Sequence, residues 1–152
     1  MNDYQNILEE TYIETLENLA FVFSDKIDED EAREMLTKDE YYLTSMEFTG
    51  GLEGNLKLAT EKELGAIVAE NMLGSMQDEN GDLFIDSLKE ITNVICGKLV
   101  TEIAGTEPIV DLSIPEVAPY SKEECQKLVK NKNSIIFNSE EFLVVLNCQL
   151  KK

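Results

Sequence analysis

Apolar residues recur at three- and four-residue steps from Phe84 through Leu88, Ile91 and Ile95 to Leu99. At about 100° per residue these five fall on one face, so the spacing predicts a helix from about Asp82 to Ala104 with a buried back. Gly105 suits the position just past its end. The opposite face carries Asp86, Glu90, Asn93 and Gly97 at i, i+4, i+7 and i+11. Those four lie within roughly 60° of one another. The helix thus presents a carboxylate, an amide one turn later, and then a glycine with no side chain to block approach.

The rest of the chain arranges itself around this helix. Ile7, Leu8, Tyr12, Leu16, Leu19 and Phe23 predict an amphipathic helix over 4–23, whose apolar tail, residues 19–23, is expected to be well buried. Residues 24–40 hold eight acids and three bases. They read as an exposed acidic connection with a short helix at 29–36. Asp28, Asp30 and Glu34 are not a calcium loop, since the required glycine and final glutamate are out of register. Residues 41–48 alternate as a strand, the glycines at 50, 51 and 54 make a turn, and residues 55–59 return with Leu56 and Leu58 on one side. Thr60-Glu61-Lys62-Glu63 has the capping-box pattern and starts a helix with Leu64, Ile67, Val68 and Met72 on its core face, ending near Gly74. Residues 75–81 read as a polar loop.

Residues 109–112 form a short strand, and Pro115 and Pro119 mark a loop after it. Ser121-Lys122-Glu123-Glu124 is a second capping box, for a short helix to Val129. Residues 134–137 and 142–148 are strands around Asn138-Ser139-Glu140-Glu141, a closing hairpin. The expected class is α+β, with helices packed on a largely antiparallel sheet, in a single domain over 1–152.

Charge and composition then narrow the chemistry. The net charge is −18, and it is uneven: residues 1–120 carry 27 acids against 7 bases, residues 121–152 four acids against six bases. Such a surface repels nucleic acid and anionic membranes and suits a partner that presents a cation. No histidine is present, which removes Ser-His and Cys-His catalysis and most zinc sites. Cys96, Cys125 and Cys148 are odd in number and far apart, the pattern of reduced thiols. No signal peptide or membrane span is visible, and the expected setting is the cytoplasm.

The run Asp86-x-x-x-Glu90-x-x-Asn93 with Gly97 resembles the signature of the CheC/CheX family of chemotaxis phosphatases. Gly50…Gly54-Asn55-Leu56-Lys57-Leu58 resembles the family's hairpin before the signature, and Leu112-Ser113-Ile114-Pro115-Glu116-Val117 its "leucine-serine-x-proline-x-valine" segment after it. The likeness covers residues 45–150 or so. It is to CheX rather than to CheC, which has two signatures: Glu14 and Asn18 of the first helix are four apart rather than three. Thr92 and Lys98 depart from the family's usual residues without removing a functional group.

The resemblance implies a protein phosphatase acting on the aspartyl phosphate of a CheY-like response-regulator receiver. Asn93 would orient the attacking water, and Glu90 would accept a bond from the receiver's lysine. Asp86 and Gly97 would contact the partner, Gly97 by permitting close approach or helix packing. No metal or organic cofactor is expected on this chain, Mg2+ being expected in the receiver, and the resemblance implies a homodimer paired through a sheet edge. Two other readings stand beside this one: a non-catalytic adaptor that docks a receiver or another signalling partner through the same helix, and a purely structural dimer module. Taken alone, a Glu and an Asn on an exposed helix are ordinary solvated surface.

Overall fold

The computed structural model describes residues 3–74 and 83–151. Helix α1 is Asp3–Ala20, strand β1 Ser24–Ile27, α2 Glu29–Met35, β2 Glu40–Gly50, β3 Gly54–Thr60 and α3 Lys62–Leu73. The long α4 is Leu83–Ala104, followed by β4 Val110–Leu112, β5 Glu116–Ser121, α5 Lys122–Lys130, β6 Ser134–Ser139 and β7 Phe142–Leu150. The expected loop 75–81 and the expected first residue of the central helix, Asp82, lie outside the described residues.

The strands form one sheet in the order β1-β6-β7-β3-β2, with β4 and β5 both on the outer edge of β2. Every pairing is antiparallel. Period-two alternation sends Met46, Phe48, Leu56, Leu58, Val144 and Leu146 to one face, where α1, α3 and α4 cover them. Tyr41, Ala59, Ile136, Leu143 and Val145 point the other way and pack against α2 and α5. Helices therefore lie on both faces, and the expected class of helices on an antiparallel sheet is the one found. Among the described residues, no helix is long and apolar enough to cross a membrane.

Several local expectations are corrected. The tail of the first helix is not buried. Ala20 and Val22 are inside, but Phe21 is 67% and Phe23 59% exposed. The chain leaves the helix at Phe21, in the left-handed region at φ 54°, and its side chains then alternate in and out as in a strand. Residues 24–27 are strand rather than open connection, because β1 pairs with β6 from Ser24 opposite Ser139 to Ile27 opposite Ile136. Asp28 caps α2, accepting the Glu31 N–H at 2.8 Å.

The capping box at Thr60 does not form. Thr60 ends β3 and donates its hydroxyl to the Leu143 carbonyl at 2.7 Å, and Glu61 takes the cap position without a side-chain cap bond. The box at Ser121 is complete, with both reciprocal bonds to Glu124 present. Pro119 lies within β5 rather than in a loop, which an edge strand tolerates because no further strand needs its missing N–H. The closing turn is two residues long, not four: Asn138 and Ser139 belong to β6, and Glu140 and Glu141 turn with φ 52° and 74°.

Candidate functional site

The apolar stripe of α4 is buried as its spacing requires: Phe84, Leu88, Ile91, Ile95 and Leu99 all belong to the main core. Each fully buried Leu or Ile of that stripe contributes about 1.5–3 kcal/mol. Phe84 also meets Tyr42 edge-on, ring centroids 5.1 Å apart. One bond to a neighbouring helix fixes the rotation of α4. Ser87 donates to the Gly65 carbonyl of α3 at 2.7 Å and approaches Phe84 O at 2.9 Å. Buried Thr92 donates back to Leu88 O at 2.7 Å, satisfying its hydroxyl within the helix.

With the back of the helix so anchored, Asp86, Glu90 and Asn93 are exposed on its front. They line an open cleft of about 360 Å³ together with Lys89 and with Leu112, Ser113, Ile114 and Pro115. The cleft thus runs between α4 and the edge of the sheet. Asp86 and Glu90 also border a second hollow with Met72 and Ser87. Among the described residues, the ion pairs lie elsewhere, joining Lys26 to Glu9 and Arg33 to Glu29 and Asp30.

Gly97 lines a different hollow, between α1 and α4, with Glu10, Glu14, Lys98 and Thr101. A Cβ placed on Gly97 would meet no atom of the described residues within 4 Å, so packing among them does not call for a glycine there. The close helix contact belongs instead to Gly65, whose added Cβ would lie 3.1 Å from Phe84 Cβ and 3.2 Å from Leu88 Cγ.

Periodicity pointed to one wall of the cleft, the polar face of α4. It did not point to Lys89, nor to Leu112–Pro115 as the facing wall. Only the sheet register places that segment beside the helix. The thiols take no part. All three cysteines are free and buried, and burial pushes Cys96 up to about 11 and Cys125 and Cys148 up to about 12, where the reactive thiolate is scarce. Among the described residues there is no cluster of three carboxylates or thiols suited to a metal ion.

Chemically, the arrangement offers a carboxylate and an amide one turn apart on a rigid element, open to a large partner. The amide can both donate and accept a hydrogen bond without gaining or losing a proton. The fold is α+β, with helices on both faces of one antiparallel sheet and this helix face open beside the sheet's edge. The profile of the family "chemotaxis phosphatase CheX" matches residues 42–139, and the chain belongs to that family.

Solved structures agree in fold. The chain is similar to CheX of Desulfovibrio desulfuricans, with TM-score 0.69, 14% identity and coverage of 99% of this chain and 100% of that one. It is similar to CheX of Vibrio vulnificus, with TM-score 0.70, 14% identity and coverage of 99% and 97%. It is also similar to a chain of the CheX–CheY–BeF3–Mg2+ complex of Borrelia burgdorferi, with TM-score 0.66, 17% identity and coverage of 99% of both chains. A search of curated protein sequences found no match.

Proposed function

We propose that this chain hydrolyses the aspartyl phosphate of a CheY-like response-regulator receiver and so terminates a chemotaxis signal. The observation that carries the reading is the set Asp86, Glu90 and Asn93, exposed together in one cleft on a helix whose opposite face is wholly buried, in a chain of the CheX family. The Borrelia complex, a CheX bound to CheY, supports a receiver as the class of partner.

In this reading Asn93 enters the receiver's site. Its amide holds a water in line with the bond between phosphorus and the aspartyl oxygen. Water attacks phosphorus, the carboxylate leaves, and phosphate is released. An acyl phosphate is already activated, so positioning supplies most of what is needed. Glu90 accepts a charge-assisted bond from the receiver's lysine and sets the depth of Asn93. Asp86 adds negative potential at the rim, and Gly97 leaves a bare helix surface for the partner's approach. The chain itself carries no cofactor, and Mg2+ sits with the receiver. Residues 1–152 act as one domain, in the cytoplasm, and as a homodimer.

The test is phosphate release from phosphorylated receivers of the same organism, with wild type, Asn93→Ala and Glu90→Ala. The expected result is acceleration by wild type, loss of acceleration with retained binding for Asn93→Ala, and weakened binding for Glu90→Ala. Binding by wild type with no acceleration from any form would replace this reading by that of an adaptor.

A further inference from the structure

The strand that walls the cleft is interrupted. Leu112 pairs with Phe48 and Glu116 pairs with Ser45, both on β2. Ser113, Ile114 and Pro115 therefore face only Met46 and Glu47. The edge carries one extra residue, a bulge between β4 and β5. Ser113 closes it from both sides: its N–H donates to Glu47 O at 2.8 Å, and its Oγ accepts the Glu47 N–H at 2.8 Å. A side-chain oxygen thus stands in for the strand carbonyl that the bulge displaces. Pro115 brings no N–H that would need a partner.

The extra length is taken up at Ile114. Its side chain is 83% exposed, yet it lines the same cleft as Asp86, Glu90 and Asn93. A lone exposed isoleucine is ordinary on a protein surface. Ile109, 81% exposed just before β4, is such a residue and does not line this cleft. Ile114 differs in being held out by a bonded bulge, opposite the polar face of α4.

We propose that Ile114 is an apolar docking contact for the phosphorylated receiver, burying itself against the receiver's surface beside the phosphorylated aspartate. The inference rests on the function proposed above. The occupant follows from continuity: a receiver seated so that Asn93 reaches its phosphoryl group must cover the cleft, and Ile114 stands on the opposite wall. The two walls divide the work. Asp86 and Glu90 meet charge, which steers and orients. Ile114 supplies desolvated apolar contact, which slows dissociation.

The test compares wild type, Ile114→Ser, Ile114→Leu, Ile109→Ser and Asn93→Ala. For each, KM and kcat are measured with the phosphorylated receiver, and Kd with the receiver loaded with Mg2+ and BeF3. Sedimentation gives the oligomeric state. Ile114→Ser is expected to raise Kd and KM about tenfold with kcat kept, the loss from exposing one aliphatic side chain. Ile114→Leu and Ile109→Ser should stay within a factor of two or so of wild type, since one keeps the apolar contact and the other never made it. An unchanged Kd for Ile114→Ser, beside a wild type that binds and turns over, overturns this inference and leaves the phosphatase reading intact. A shift from dimer to monomer with receiver affinity unchanged overturns it too, by assigning Ile114 to a contact between copies. Absence of binding by wild type to every receiver removes both.

Discussion

Ser87 Oγ lies 2.7 Å from the carbonyl oxygen of Gly65 and joins α4 to α3 where Gly65 faces Phe84 and Leu88. Ser87 is flanked in sequence by Asp86 and lies three residues before Glu90, so this bond fixes which way the candidate site faces. Removing the hydroxyl forfeits a buried hydrogen bond worth about 1 kcal/mol. Ser87→Ala is expected to lower stability by that amount in urea titration, with the fold retained. Gly65→Ala adds a methyl against Phe84 and Leu88. Despite the better helix propensity of alanine, it is expected to cost about 1–2 kcal/mol.

Gly97 behaves oppositely. Among the described residues, no atom lies within 4 Å of where its Cβ would be. Gly97→Ala is expected to stabilise the protein by up to about 1 kcal/mol through helix propensity. If a partner approaches the bare backbone there, the same substitution weakens receiver binding. Thermal unfolding and receiver titration of this one variant separate the two effects, and a variant that is neither stabilised nor weakened in binding removes the reason given for the glycine.

Glu61 is buried at 6% exposure and accepts the Leu143 N–H at 3.1 Å. Burial raises its carboxyl above the ordinary 4.5, against the opposing pull of that bond, with Glu63 adding to the rise and Lys38 opposing it. A carboxyl raised on folding makes the folded state bind its proton more tightly. Its contribution to stability is full below the unfolded value and is lost as pH rises from about 4.5 through the raised folded value. Glu61→Gln keeps an acceptor for Leu143 and removes the charge. Urea titrations at pH 5 and pH 8 are expected to show the variant gaining on wild type at the higher pH. A pH-independent difference would mean that Glu61 does not titrate in that window.

The closing hairpin turns through two glutamates, both at positive φ. Such a turn ordinarily takes Asn-Gly. Here the Asn138 side chain accepts the Glu141 N–H at 2.8 Å and the Glu140 carboxylate accepts the Phe23 N–H at 3.2 Å, which hold it in place. Glu141→Gly leaves both bonds intact and relieves the left-handed residue. It is expected to stabilise by about 1 kcal/mol, read as a shift of the urea midpoint with unchanged slope.

Local pattern by itself determined much of this protein. The stripe from Phe84 to Leu99 fixed the central helix and which face it buries, because a 3.6-residue period leaves one rotational setting that removes all five from water. The same geometry put Asp86, Glu90 and Asn93 on the front. The box at Ser121 and the left-handed glycines at 74 and 105 were legible because each is satisfied by neighbours a few residues away, and Leu56 and Leu58 because two-residue alternation puts both on one face of a strand.

What the tertiary structure decided involves partners distant in sequence. Thr60 has a capping pattern, yet its hydroxyl goes to Leu143, a residue 83 positions away. Residues 24–27 carry no alternation, and only pairing with β6 makes them a strand. Pro119 reads as a loop until β2 lies beside it. The second wall of the cleft is the plainest case. Ser113 and Ile114 acquire their places from Glu47, 66 residues from Ser113, because a bulge is a mismatch between two strands and exists in neither strand alone.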